Sequence, residues 1–377
     1  MNIAWNLIHG NLLWFNLKYA FVPHPPLFFI IVGMLLKTFG NDLIVIRSLI
    51  AFYGILTAIV LFYTGKELKD ERLGLLMSFL FATYPNAIFF GRIGYANNQL
   101  ALLSTLVFFL CLKYHKHKNK NLLFVIPLLA GLAPVTEFGG LAILLSVNLF
   151  FLLYDKKNMR RILIISIIPL TLYIAAMLLI SPNAFLHDIF FNSQRLGTLG
   201  ADKQNRNDPI MTGTIVLISI FFVAVLYRKR KKIIELYQNL ALFIFSSFLP
   251  RINIKDVNSI LKDNLAIALF SLTLFPAGWI LSLSHKIFFD GYPDYFLIGL
   301  LGLLFVPNRQ ARNTVFLFFI PSLIYFLRVT RTDHMMLPLY PYMIIGLAFL
   351  ILWLLEQFKS SPRLKNIARP ASILIMV

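Results

Sequence analysis

Charge is what this sequence has least of. Only 14% of its 377 residues are Asp, Glu, Lys or Arg, against roughly 25% in a soluble domain. So few charges cannot cover a water-facing surface, which excludes an ordinary soluble enzyme. Cysteine is scarcer still. Cys111 is alone, which rules out an intrachain disulfide and a thiolate metal cluster. Set in LLSTLVFFLCLKY, it reads as a packing residue. The opening stretch, MNIAWNLIHGNLLWFN, lacks the basic start, continuous apolar core and small-residue cleavage site of a signal peptide. There is no internal repeat and no low-complexity tract, which argues against a transporter built from duplicated halves. No Asp or Glu occurs before Asp42.

Apolar residues take the place of the missing charge. They make up 59% of the chain, with 37 Phe and 15 Tyr, and the mean hydropathy is +0.77. Rings in such number suit lipid-facing helices and interfacial belts. Runs of spanning or near-spanning length lie at 43–64, 74–90, 98–114, 121–135, 137–154, 162–181, 210–227, 265–283, 294–306, 313–327 and 335–355. At ~20 residues per crossing, about eleven spans with short loops nearly use up the chain. The sequence therefore predicts an all-α, polytopic membrane protein. Before the first run, Pro25 and Pro26 suit the first turn of a helix, where a missing N–H costs nothing. The apolar stretch Leu27–Phe39 is too short to cross and predicts a juxtamembrane helix. GLAPVTEFGG, between 121 and 154, would break one long helix, so two short ones are expected there.

The formal net charge of +19 would suggest nucleic acid in a soluble protein. Here 25 of the 35 Lys and Arg fall in every second loop between the runs, all on one side: KELKDER, KYHKHKNK, DKKNMRR, RKRKK, the 250–264 segment, NRQAR and KSSPRLKNIAR. That is the positive-inside pattern. It predicts no nucleic-acid partner, contact with membrane lipids, and a multi-pass protein of the cell membrane. Residues 1–42 are read as a partial external loop, 43–355 as the helical bundle with a cytoplasmic linker at 233–264, and 356–377 as a cytoplasmic tail whose ASILIMV end resembles the start of another span. The external face then receives most of the remaining acids and histidines, Asp188, Asp290, Asp294, Asp333 and His334 among them.

Four stretches, in order, resemble the membrane glycosyltransferases of the GT-C class, nearest to family 39 with its protein O-mannosyltransferases and lipid A aminoarabinose transferases. HPPLFFIIVGMLLKTFGNDLIVIRSLI resembles the family's external His-Pro-Pro-Leu turn, juxtamembrane helix and following span, with His24, Pro25, Pro26, Leu27, Gly40 and Arg47 in register. FATYPNAIFFGRIGYANNQLALL resembles its third span and outer Arg-containing turn. GLAPVTEFGGLAILL and RTDHMMLPLYPYMIIGLA resemble two later stretches. The resemblance implies a GT-C-like bundle around an outward cavity. It implies transfer of a sugar from a polyprenyl-phosphate carrier to a protein, lipid or glycan acceptor outside the cytoplasm. Some members use a divalent metal, although no ligand pair such as HExxH occurs here.

The chain also departs from that pattern. The family's principal acid belongs early in the first external loop, which would put it before Met1, so a truncated or inactive form is expected and no catalytic residue is named. Asn97 and Asn98 stand where the family often has an acid, and Glu137 where it usually has Lys. For the donor, Arg92, Arg195 and Arg328 are the candidates to meet phosphate through their guanidinium forks. Each also reads as an ordinary interfacial or loop arginine. His24, Asn97 and His334 complete the candidate substrate-binding set. A transporter or lipid flippase remains the competing reading, with Glu137 as its one intramembrane charge.

Overall fold

The computed structural model describes residues 25–180, 182, 185–186, 299, 302–329 and 333–360. All of them belong to one compact unit drawn from residues 1–192 and 285–377. The described residues are helical throughout, without strands. The helices are α1 (Pro26–Phe39), α2 (Leu43–Leu68), α3 (Glu71–Thr83), α4 (Pro85–Phe90), α5 (Ala96–His117), α6 (Leu122–Thr136), α7 (Gly140–Tyr154), α8 (Met159–Ile180), α9 (Arg309–Val329) and α10 (Tyr340–Ser360). The spans expected at 210–227 and 265–283 and the linker at 233–264 lie outside the described residues. Of the span expected at 294–306, a 3-10 turn, Leu303–Phe305, is described.

Local chemistry sets the boundaries. Pro26 starts α1, and Gly40 ends it at φ 95°, a left-handed conformation that glycine adopts at no steric cost. Asp42 caps α2 by accepting the Ile44 N–H at 2.9 Å, and Asp70 caps α3 by accepting that of Leu73 at 2.9 Å. The run expected as one helix over 74–90 is divided, because Tyr84 adopts an extended conformation before Pro85, which opens α4. The break expected in GLAPVTEFGG is present: α6 stops at Thr136, and α7 starts at Gly140.

Among the described residues three helical segments are long and apolar enough to cross a membrane: Leu43–Leu68, Ala96–His117 and Lys156–Leu179. The first and third are apolar yet only 22% and 28% buried within the protein. Phe52, Ile55, Phe79 and Leu172 are more than half exposed. Lipid is the solvent such surfaces need, and the chain is a membrane protein. The apolar helices α6 and α7, at 15 residues each, are shorter than a full crossing.

Where lipid competes for apolar surface, close packing must hold helices together. A Cβ on Gly65 would stand 2.5 Å from the Gly74 Cα, and one on Gly131 would stand 2.3 Å from the Ser166 carbonyl oxygen. These two contacts press α2 on α3 and α6 on α8. The centre is aromatic. Phe108 of α5 meets Phe318 of α9 and Tyr342 of α10, each with ring centroids 5.5 Å apart. The buried Tyr342 hydroxyl pairs with Ser104 Oγ at 2.6 Å, so this ring places no unsatisfied polar atom in the core.

Candidate functional site

The basic loops among the described residues meet at one end of the bundle. Lys69, after α2, reaches Glu356 of α10 at 2.8 Å. Glu67 is held by Lys116 at 2.9 Å and His117 at 3.2 Å. His115 meets Gln310 at 2.8 Å. Tyr114 donates its hydroxyl to Asp155, which also accepts from Asn158 at 2.8 Å. Five loops far apart in sequence are thus tied into one charged layer.

The opposite ends of the same helices converge on a second, sparsely charged layer. A Cβ on Gly94 would lie 2.9 Å from Ile46 of α2. Leu27 of α1 packs with Val135, Tyr173, Met177 and Phe185. Asn86 of α4 donates to the Tyr340 hydroxyl at 3.2 Å, and Tyr84 sets its ring edge against Tyr340, 4.8 Å between centroids. The backbone of the 137–139 turn is pressed onto α5 and α9: a Cβ on Gly139 would stand 3.1 Å from both Leu100 Cδ2 and Tyr325 Cε1.

Polar side chains are concentrated in this layer. Asn97, Asn98, Gln99, Thr136 and Glu137 are all buried. The Asn98 amide points back into its own turn, its nitrogen 3.2 Å from the carbonyl oxygens of Phe90, Ile93 and Tyr95. Two N–H groups shared among three acceptors fix the 90–95 turn, so Asn98 is structural. Asn97 shares a helix face with Leu100 and Ser104, three and seven residues on. That face meets Gly139 and Tyr325 through Leu100, and α10 through Ser104. Arg92 projects from the turn as an exposed guanidinium. Glu137 is the only carboxylate among the buried side chains of the described residues, 5% exposed, with Oε1 3.2 Å from the Phe138 N–H. Tyr325 lies close enough to interact with it electrostatically.

Of the residues expected from sequence, Arg92 lies exposed on the turn before α5 and Asn97 buried in the first turn of α5. Arg328 falls in the last turn of α9 and His334 in the 3-10 turn Asp333–Met336 that leads into α10. His24 and Arg195 lie outside the described residues. Tyr325 was not legible in sequence. It sits in an unremarkable aromatic run and reaches Glu137 only through the packing of α9 on α7. Gln99, buried with Oε1 unpartnered among the described residues, carried one signal, the amide run Asn97-Asn98-Gln99 opening an apolar helix. The described residues hold no group of three His, Cys, Asp or Glu able to bind a metal ion, and amides occupy the first turn of α5.

Residues 23–185 match the family described as dolichyl-phosphate-mannose-protein mannosyltransferase. No curated protein matches the chain in sequence. Among solved structures, the oligosaccharyltransferase of Archaeoglobus fulgidus, crystallised with zinc and sulfate, aligns over 99% of this chain and 47% of its own, with 13% identity and a TM-score of 0.50. This chain thus spans about half the length of that enzyme. ArnT from Cupriavidus metallidurans in its apo state aligns over 92% of this chain and 70% of its own, with 14% identity and a TM-score of 0.36. The resemblance read from the motifs is borne out, and the fold is GT-C-like.

Proposed function

We propose, starting from a GT-C-like membrane chain whose residues 23–185 match the mannosyltransferase family, that this protein is a glycosyltransferase. It moves a sugar from a polyprenyl-phosphate carrier to an acceptor outside the cytoplasm. The observation that carries the reading is the family match falling on the helices that build the polar layer, α1 to α8. The acceptor is a protein, lipid or glycan. The protein is multi-pass in the cell membrane, with the basic layer in the cytoplasm and the polar layer facing out, following the positive-inside rule.

The chemistry needs a cation to receive the charge that develops on the departing phosphate. Arg92 has the fork geometry and the exposed position for it, and Arg328, Arg195 and His334 are further candidates from sequence. Asn97 offers hydrogen bonds to sugar hydroxyls from the buried side, and His24 offers one at the mouth of α1. The carrier tail stays in lipid while its headgroup enters the polar layer. The zinc of the archaeal crystal belongs to that enzyme, and no step here runs through a metal.

The test is purified protein in liposomes supplied with a panel of radiolabelled polyprenyl-phosphate sugars and an extract of candidate acceptors. Label should move to an acceptor, and Arg92→Gln should raise KM for the donor about tenfold, the loss of roughly 1.4 kcal/mol of phosphate contact. Uptake of a solute or lipid by the same liposomes, with no glycosyl transfer, would overturn the reading in favour of a transporter.

A further inference from the structure

We infer that the polyprenyl chain of the donor carrier lies along an open groove between α2 and α3, with its phosphate end at Arg92. This rests on the glycosyl-transfer reading and gives the substrate's tail a path. The groove has a volume of about 730 Å³. Ala51, Gly54 and Ala58 of α2 and Ala82 of α3 line it with small residues. Ser78 lines it too, but its hydroxyl donates to the Ala58 carbonyl. A hydrocarbon chain entering there strands no hydroxyl proton.

Three observations select this occupant. Glycine inside a helix costs about 1 kcal/mol relative to alanine, yet a Cβ on Gly54 would meet nothing within 4 Å. Gly65 and Gly74 are small because the facing helix touches them, whereas Gly54 keeps open a space that no described neighbour fills. Length is the second. The groove follows α2 from Ala51 to Tyr63, and Tyr63 lies ~30 Å along the helix from Leu43. One leaflet of hydrocarbon is only ~15 Å deep. The groove therefore runs past the midplane, further than an acyl chain of the outer leaflet reaches and within the span of a polyprenyl chain. Charge is the third. Ala87 and Ile88 of α4 line the outer end of the groove. Arg92 follows one turn later, its N–H bonded to the Phe89 carbonyl at 3.3 Å. It is exposed and has no acidic partner among the described residues. A guanidinium at the outer end of an apolar groove complements a lipid with one phosphate and one long chain.

The experiment uses purified protein in liposomes and a polyprenyl phosphate carrying a diazirine in mid-chain. After illumination, mass spectrometry should find the label on peptides covering 51–63 and 75–88. Unlabelled polyprenyl phosphate should suppress that labelling, and phosphatidylglycerol should not. Gly54→Leu places its side chain in open space, so it should unfold as wild type does. It should cut labelling of the groove about threefold or more, through lost packing of the chain. It should raise KM for the full-length donor and leave KM unchanged for a donor analogue of two isoprene units. Equal suppression by phosphatidylglycerol overturns the inference, because the groove is then only solvated by bulk lipid. Label confined to other helices, or full groove labelling of Gly54→Leu, overturns it equally and leaves the transferase reading standing. If Gly54→Leu fails to fold, the wild-type labelling map and its competition decide alone. Wild type that is labelled in the groove but transfers no sugar overturns the transferase reading and leaves the carrier site standing.

Discussion

Neighbouring amides in this protein hold different jobs, and single substitutions separate them. Asn98 spends its side-chain donors on three backbone carbonyls of the 90–95 turn. Asn98→Ala strips buried acceptors of their partner and should cost about 1–3 kcal/mol, read as a lower unfolding temperature. Asn98→Asp should cost at least as much, since a carboxylate turned towards carbonyl oxygens has no proton to donate. Asn97→Ala should leave the unfolding temperature nearly unchanged and raise donor KM. The family pattern suggested an acid in this turn. The sequence showed only that amides stand there, because which of two adjacent residues faces the turn is settled by the helix phase. In the charged layer, burial tends to raise the Asp155 carboxyl, but hydrogen bonds from Tyr114 and Asn158 outweigh it and hold the pKa below the ordinary carboxylate value. A carboxylate depressed on folding contributes stability that is complete above its unfolded pKa, about 3.9, and lost as pH falls through the folded value. Asp155→Asn should therefore lower stability at neutral pH and differ less from wild type below about pH 4, by thermal unfolding across pH.

Helix packing gives a sharper contrast between glycines. On Gly140 a Cβ would stand 2.1 Å from the Ala133 carbonyl carbon, while on Gly54 it meets nothing within 4 Å. Gly140→Ala must push two backbones apart and should destabilise by at least about 1–3 kcal/mol. Gly54→Ala should stabilise by up to about 1 kcal/mol through helix propensity. Thermal unfolding in detergent checks both, and equal effects would mean that α6 and α7 do not pack as described. The elements themselves were largely legible. Pro26 at a helix start and the Gly-Pro content of GLAPVTEFGG are local signals, and local signals survive tertiary context; the caps at Asp42 and Asp70 emerge only from the structure. The division of the 74–90 run was not anticipated, although Pro85 marks it, because unbroken apolarity outweighed one proline in the reading. The partners of α9 could not be read at all. Its contacts with α5 and α7 join residues about 200 apart, and no local pattern specifies such a pairing.

At the scale of the described bundle, the structure ties the basic loops after α2, α5 and α7 together at one end and gathers the polar turns before α5 and α7 at the other. The sequence could only sort these segments by alternation. The layers follow from helix lengths and from ion pairs such as Lys69–Glu356 and Glu67–Lys116. If α5 crosses the bilayer, Arg92 at its amino-terminal approach and Lys118 at its carboxyl end must meet water on opposite sides. Both are exposed, and the sole native thiol, Cys111, is fully buried, so cysteine labelling has a silent background. In intact cells, Arg92→Cys should react with a membrane-impermeant maleimide. Lys118→Cys, Arg160→Cys and Arg309→Cys should react only after permeabilisation. Arg92→Cys and Lys118→Cys reacting from the same side would remove α5 from the set of spans. Reaction of the three basic-layer sites in intact cells would instead invert the protein and put the proposed donor site in the cytoplasm, where a carrier loaded for outward delivery could not reach it.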